Sequence, residues 1–470
     1  MSLPEIPEIL AFLRSAEPEL IETMGEGALL ASFLRAAAEV PAYADLLARR
    51  GVDPASITSL DTFRARVPLV DKPSTFGAYP LHQLFRGGSV QGIKSFVPSS
   101  GLSGAFAFSG DTAEGLQLAA KSADLAFEYT LGFSKRPALL INTYPMGLQV
   151  PTSMAVVNTG VNVDVAIAMV KACAPYFAQL IVLSQPLFAK RLIEEGLEQG
   201  VDWRAHRTTL VAGGEGFVES WRTYVSGLLG IANPDDPTDS FVASSMGAGE
   251  LGLNLFHEIP ETIRVIRRAY RDRGFRAALF GVDLPYTPHF FVYYPMRSFI
   301  EEILVEGSPV GELAVSLVSA DVPMPQFRYR TGDLIRIVPY RRLAAALRAH
   351  APDLAPPALR LPCVAVFGRK GGLEIGKRQI GIELVKEALF ADSEVARAVT
   401  GFFGMRASGP ALGLDVQLRP GRASASDLHD RLHASLDRYA PGLPSHVRLL
   451  GHAEFPYPTT YERKHAYLTR

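Results

Sequence analysis

The order of apolar and polar segments predicts an α/β protein: a large N-terminal body of parallel and mixed sheets flanked by helices, then a small, mobile α+β C-terminal domain. Three observations carry that expectation. From residue 96, short apolar runs alternate with helical stretches, the pattern of parallel strands covered on both faces. After Pro295 the chain becomes strand-rich. Pro352, Pro356, Pro357 and Pro362 then form a proline-dense joint ahead of the C-terminal segment.

The elements follow in order. Residues 1–95 read as a helical lead-in: Pro7–Leu13 and Ala28–Val40 carry apolar residues at helical spacing, with Pro41 closing the second stretch. Strands are predicted at Ala138–Asn142, Val161–Ala168, Gln179–Ser184, Thr208–Ala212 and Ser240–Ala243. Helices are predicted between them at Ala113–Tyr129, Pro186–Gly200 and Gly216–Leu229. The strand-rich part comprises Phe299–Val305, Glu312–Val318 and Asp333–Pro339, followed by a helix at Arg342–His350. The body is expected to end near residue 368. Residues 369–470 then supply helices Ile382–Phe390 and Ala425–Tyr439 and strands Ala396–Phe403 and Leu412–Leu418.

Composition excludes several classes. Lys+Arg total 47 and Asp+Glu 48 in 470 residues, so no whole-protein field recruits nucleic acid or anionic lipid. A chain 48% hydrophobic and 20% charged belongs to folded proteins rather than disordered ones. The two cysteines, Cys173 and Cys363, cannot build a disulfide framework, which fits a reducing compartment. There is no basic leader and no apolar run long enough to span a membrane, so a cytoplasmic protein is expected.

Four stretches can carry chemistry. Ser99-Ser100-Gly101-Leu102-Ser103-Gly104 follows an apolar run, and small residues with hydroxyls let backbone N–H groups converge on phosphate oxygens; the same stretch reads equally as a polar turn. Val242 to Gly252 contains Gly247, Gly249 and Gly252 in the dinucleotide pattern, but Glu250 would place a carboxylate in the pyrophosphate turn. The other reading is a loop whose carboxylate holds a divalent cation against a nucleotide triphosphate. In Arg328-Tyr329-Arg330-Thr331-Gly332-Asp333, a carboxylate behind a glycine turn can accept both hydroxyls of a ribose, while an Arg-x-Arg ladder is otherwise a solvated edge. Gly368-Arg369-Lys370-Gly371-Gly372 lies at the domain joint, either as a hinge with Arg369 near phosphate or ribose or as a plain hairpin turn.

In this order the stretches resemble the adenylate-forming superfamily of acyl-CoA synthetases and luciferases, in particular its phenylacetate–CoA ligase-like branch. Val67-Pro68-Leu69-Val70-Asp71-Lys72 with Tyr79-Pro80-Leu81, Gly213-Gly214-Glu215, and Gly311-Glu312-Leu313 extend the resemblance over residues 60 to 470. It implies ATP- and Mg²⁺-dependent adenylation of a small, aromatic carboxylic acid, then transfer to CoA, a carrier-protein thiol or an amine. It places Ser99–Gly104 over the ATP phosphates, Gly213, Gly214 and Glu215 beside adenine, and Met246 and Gly247 between adenine and the acyl group. It further gives Mg²⁺ to Glu250, the ribose to Asp333, and ribose or phosphate to Arg369. Lys464 matches the late lysine that bridges carboxylate and α-phosphate. Tyr144, Met146 and Gly147, after a predicted strand end, and Ser245 are expected to touch the acid.

The chain departs from the pattern. Ala105 stands where the phosphate loop carries a lysine, Met246 and Gly249 replace an aromatic residue and a hydroxyl, and Gly371 replaces an acidic hinge residue. Alternatives therefore stay open: an oxyanion such as nitrite as substrate, a catalytically silent nucleotide-binding scaffold, an NAD-type oxidoreductase using glycines 247–252. A homodimer is also left open. Outside these motifs, Arg264, Arg267, Arg268, Arg271, Arg273 and Arg276 read as a solvated face with some ion pairs, or as a docking patch for a carrier protein or CoA phosphates. His429 and His433 read as surface residues rather than a metal pair, and Phe290–Tyr294 as core rather than a wall of the acyl pocket.

Overall fold

A computed structural model describes residues 4–99, 107–319 and 322–469. The lead-in folds as helices α1 (Ile6–Ser15), α2 (Pro18–Glu39), α3 (Pro41–Arg49) and α4 (Leu60–Arg66), followed by a hairpin of β1 (Ser95–Pro98) and β2 (Phe108–Asp111). Pro41 closes α2, with Val40 extended just before it, and also opens α3 at its first position, because the N–H it lacks is one that a first turn leaves unpaired.

The alternating region forms α5 (Ala113–Leu131), β3 (Ala138–Asn142), β4 (Ala155–Asn158), α6 (Val163–Cys173), β5 (Gln179–Ser184), α7 (Pro186–Glu198), β6 (Thr208–Ala212), α8 (Glu219–Leu228) and β7 (Val242–Ala248). The strand expected at Val161–Ala168 is therefore helix. Asn162 caps it, its side chain accepting the Val165 N–H at 3.1 Å, and Val163, Ala166, Ile167 and Val170 bury a helical stripe despite their β-branched character. The strand beside β3 is instead the four-residue β4, too short to announce itself.

Next come β8 (Gly252–His257), α9 (Pro260–Arg271), α10 (Arg273–Phe280), β9 (His289–Val292), β10 (Ser298–Ile303), β11 (Gly311–Leu317), β12 (Tyr329–Val338), α11 (Tyr340–His350) and β13 (Cys363–Arg369). One eleven-stranded sheet runs β4-β3-β5-β6-β7-β8-β9-β13-β12-β11-β10. Pairing is parallel from β4 to β7 and antiparallel from β7 onward. Strand β7 is thus where the sheet changes character, the kind of place where α/β sheets open a ligand crevice.

After Arg369 the chain builds β14 (Leu373–Ile375), β15 (Arg378–Ile380), α12 (Ile382–Ala391), α13 (Ser393–Ala398), β16 (Val399–Ser408), β17 (Ala411–Leu418), α14 (Ser426–Tyr439) and β18 (Ser445–Leu450). Strands β16, β17 and β18 form a sheet of their own. The apolar core is continuous across the joint: Leu192, Trp221 and Val225 of the body share one cluster with Val385, Leu389 and Phe403.

The basic run is not a solvated face throughout. Arg267 and Arg276 are buried, and Arg267 pairs with Glu219 at 3.2 Å and Asp235 at 2.7 Å. The reason is α9's strong amphipathicity, which brings Arg267 to the face packed on α8. Arg264 and Arg268 meet Asp236 and Asp353 at 3.1 and 2.5 Å, so their charges are spent within the chain. Among the described residues no cluster of three or more His, Cys, Asp or Glu side chains could hold a metal ion, and no helix is long and apolar enough to cross a membrane.

Candidate active site

A cavity of about 440 Å³ opens where the carboxyl ends of the parallel strands meet the C-terminal segment. Ser99, Tyr144, Met146, Gly214, Glu215, Ser245, Met246, Gly247, Glu250, Asp333, Arg369 and Lys464 all line it. Residues as far apart in sequence as Ser99 and Lys464 would not meet in an arbitrary fold; here the sheet switch and the returning C-terminal tail bring them together. Ser100, Gly101, Ser103 and Gly104 lie outside the described residues. Gly213 sits behind the lining, its N–H bonded to the Ser184 carbonyl at 2.9 Å. Gly147 faces a second recess instead, shared with Met146, Thr159, Val163 and Glu462.

Buried charge fixes the floor. Arg222 pairs with Glu219 at 2.9 Å and with Glu258 at 2.8 Å, and Glu258 accepts the Ser244 N–H at 2.6 Å. Burial alone would raise the Glu258 carboxyl, but Arg222 outweighs it and holds it below its ordinary value. The network pins β7 just before Ser245 and Met246. Beyond them the chain turns straight back into β8, so glycines 247, 249 and 252 belong to a β-hairpin and not to a helix N-terminus. That geometry removes the dinucleotide reading. A Cβ at Gly247 would collide with the Leu253 carbonyl, which explains a glycine inside a strand.

Glu250 is buried and accepts the Tyr329 hydroxyl at 2.9 Å, with the Lys72 ammonium 3.8 Å away. A carboxylate without companion acidic or histidine ligands among the described residues fits a Mg²⁺ carried chiefly by phosphate oxygens rather than an all-protein metal cage. Lys72 also donates to Ser99 Oγ at 3.4 Å, and Ser99 Oγ accepts the Ala107 N–H at 3.0 Å. Lys72 thus sets a cation between Ser99 and Glu250 at the edge of the cavity. Sequence reasoning singled out its stretch and gave it no role. Its neighbour Val70 pairs with the start of β12 through Arg330 N–H at 2.8 Å, which carries Lys72 to the site.

Asp333 and Lys464 face one another electrostatically across the cavity. Burial raises the Asp333 carboxyl, opposed by Arg369, whose Nε is 3.8 Å away, and by Lys464. Burial lowers the Lys464 ammonium, opposed mainly by Asp333. Arg369 itself is well exposed and donates to the Thr331 carbonyl at 2.7 Å. Next to it, a Cβ at Gly368, where φ is +101°, would strike the Glu383 carboxylate, so this glycine permits α12 to close on the strand end.

The other lining residues went unflagged in sequence. His289 accepts the Phe217 N–H at 3.1 Å and directs Nδ1 toward Glu258, 4.0 Å away. Lys386 reaches Glu215, and burial raises the Glu383 carboxyl. Only the spacing of α12's buried face could have hinted at them. Part of the cavity's lining is apolar: Phe127, Leu131, Leu148, Val150, Phe241 and Ala243. Phe291 of β9 also lines the cavity, so the aromatic run serves as core and as wall.

Solved structures match over nearly the whole chain. A 2-hydroxyisobutyryl-CoA ligase in the postadenylation state, in complex with 2-HIB-AMP, superimposes with a TM-score of 0.68 at 15% identity, covering 94% of this chain and 88% of that one. The fold is that of the adenylate-forming ligases. The same ligase in the thioesterification state, with 2-HIB-AMP and CoA, gives 0.57 at 16% identity over 97% and 90% of the two chains. An anthranilate CoA ligase in complex with anthranoyl-AMP gives 0.51 at 12% identity over 86% and 74%. No family model and no curated protein matches the sequence.

Proposed function

We propose that this chain activates an apolar, aromatic carboxylic acid as its acyl-adenylate and passes the acyl group to CoA, as a member of the phenylacetate–CoA ligase-like branch. The observation that carries the reading is Lys464: a cation from the end of the chain lines the same cavity as Asp333, Glu250 and the Met246–Gly247 edge. In this reading one acid oxygen bonds to the α-phosphorus of ATP and pyrophosphate departs with the electrons of the broken bond. Two anions converge in that step, and Lys464 stabilises their meeting more than it stabilises the separated reactants. Asp333 accepts the ribose hydroxyls and Lys72 with Ser99 receives the phosphate chain. Glu250 would hold a Mg²⁺ together with phosphate oxygens, and that ion would supply further charge neutralisation. The thiol of CoA then bonds to the acyl carbon and AMP leaves.

An acyl body has apolar lining to pack against, Phe127, Leu131, Val150 and Phe241 among it, which offers nothing to an oxyanion without carbon; that favours a carboxylic acid over nitrite. Residues 369–470 rotate as a unit about Gly371 between the two steps, so that one site serves two geometries. A pyrophosphate-release screen across aryl, fatty and amino acids tests the proposal. Release with aryl acids, lost in Lys464→Ala, is expected; release unchanged by that substitution would remove the catalytic role, and ATP binding without turnover would leave a scaffold.

A further inference from the structure

The tail that delivers Lys464 is fastened at a second point. Met405 N–H bonds to the Tyr467 carbonyl at 2.8 Å and Thr469 N–H to the Met405 carbonyl at 2.9 Å, so the tail rides on β16. Three residues after Lys464, the Tyr467 ring is buried against Phe403 and His465, with centroids 4.5 and 4.8 Å away. Its hydroxyl donates to Glu215 Oε1, on the loop after β6 in the body. Lys386, from α12, donates to the same oxygen and to the Gly216 carbonyl at 2.8 Å. The Lys386 ammonium also sits 4.6 Å from the centre of the Tyr467 ring. One body carboxylate therefore collects a hydroxyl and a cation from two separate parts of the C-terminal segment.

We infer that Tyr467 and Lys386 are positioning residues: by clamping Glu215 they lock the C-terminal segment in the arrangement that puts Lys464 at the junction of acid and nucleotide. The inference rests on the adenylation reading. A separate observation agrees with it. The chain superimposes on the postadenylation form of one ligase at TM-score 0.68, but on its thioesterification form at 0.57. Neither residue needs to touch the reacting atoms. Each acts through where it holds Lys464, three positions from Tyr467 and across the cavity lip from Lys386.

Tyr467→Phe keeps the ring and its packing and removes one hydrogen bond to a charged oxygen; Lys386→Met removes the cation with a side chain of similar length. Two readouts decide. Amide hydrogen exchange of residues 462–469 in the free protein should quicken about tenfold to a hundredfold in Tyr467→Phe, as loss of such a bond predicts, while exchange in β3 and β5 stays as in the wild type. Acid-dependent pyrophosphate release should lose kcat by a similar factor, with KM for acid and ATP within about threefold. Lys386→Met should do the same. Unchanged exchange at 462–469 overturns the clamp. Faster exchange with unchanged kcat overturns the positioning role, and so does a rise in KM alone or faster exchange throughout the body. Should the wild type release no pyrophosphate with any acid, the adenylation reading falls, and the exchange result by itself supports or overturns the clamp.

Discussion

Lys464 and Asp333 carry opposite shifts for the same physical reason, burial of a charge, which Arg369 and then Lys464 oppose at Asp333 and which Asp333 opposes at Lys464. Their directions set a pH profile. In the proposed adenylation Asp333 must be ionised to accept ribose hydroxyls, so its raised pKa should move the acid limb of activity above the ordinary carboxylate range. Lys464 must be charged, so its lowered pKa brings the alkaline limb below the ordinary lysine value. Lys464→Arg should therefore push the alkaline limb upward, because a guanidinium stays protonated, while any surviving rate reports its geometry. Lys464→Ala should cut acid-dependent turnover by a factor on the order of a hundred or more, with ATP affinity within a few-fold, as nucleotide titration would show. Lys72→Met should instead weaken ATP binding itself. Asp333 and Glu250 were singled out from residue types beside glycine turns and Lys464 through the family resemblance alone, and all three line one cavity. Lys72, Lys386 and Tyr467 were not legible in sequence, because their roles come from contacts across the fold: Lys72 is 27 residues from Ser99, and Tyr467 is 252 from Glu215.

Packing of α12 on α8 sets the next scale. The Ser220 N–H donates to Glu387 Oε2 at 3.1 Å in a fully buried interface, and burial pushes the Glu387 carboxyl up to about 7. A raised carboxyl stabilises the fold fully below its unfolded value near 4.5, and that contribution is lost as pH rises through 7. The difference amounts to on the order of 3 kcal/mol. Glu387→Gln should flatten the stability of the protein between pH 5 and pH 8, measured by denaturant unfolding; an unaltered slope would place the ionisation elsewhere. At this scale most elements were readable, β3, β5 and β6 to the residue, since fully buried parallel strands are continuous apolar runs. The failures share a cause. In α6, β-branched residues sit at helical spacing, and only the Asn162 cap separates the two readings. The hairpin of β7 and β8 carries a glycine pattern that belongs to another fold until pairing shows otherwise.

Over the whole molecule, the eleven-stranded sheet and the C-terminal segment share one apolar cluster and one cavity, so the proposed site exists only while the two are together. A pair of fluorophores, one on the β17–β18 face and one on α6, should report a constant distance when ATP and acid bind and a changed distance when a thiol acceptor follows. No change at the second step would leave the rotation about Gly371 without support. The sequence foretold the α/β class and the two-part order of the chain, because alternation of elements and a proline joint are local properties. It could not foretell that the parts interlock through Glu215, a contact that depends on how the tail returns.

The claim that a carboxylate oxygen bonds to the α-phosphorus has an atom-level consequence. An acid enriched with oxygen-18 in its carboxyl group should leave one heavy atom in the AMP released after a full cycle with wild-type protein, read by mass spectrometry. Heavy oxygen in inorganic phosphate, or none in AMP while ATP is consumed, would contradict it.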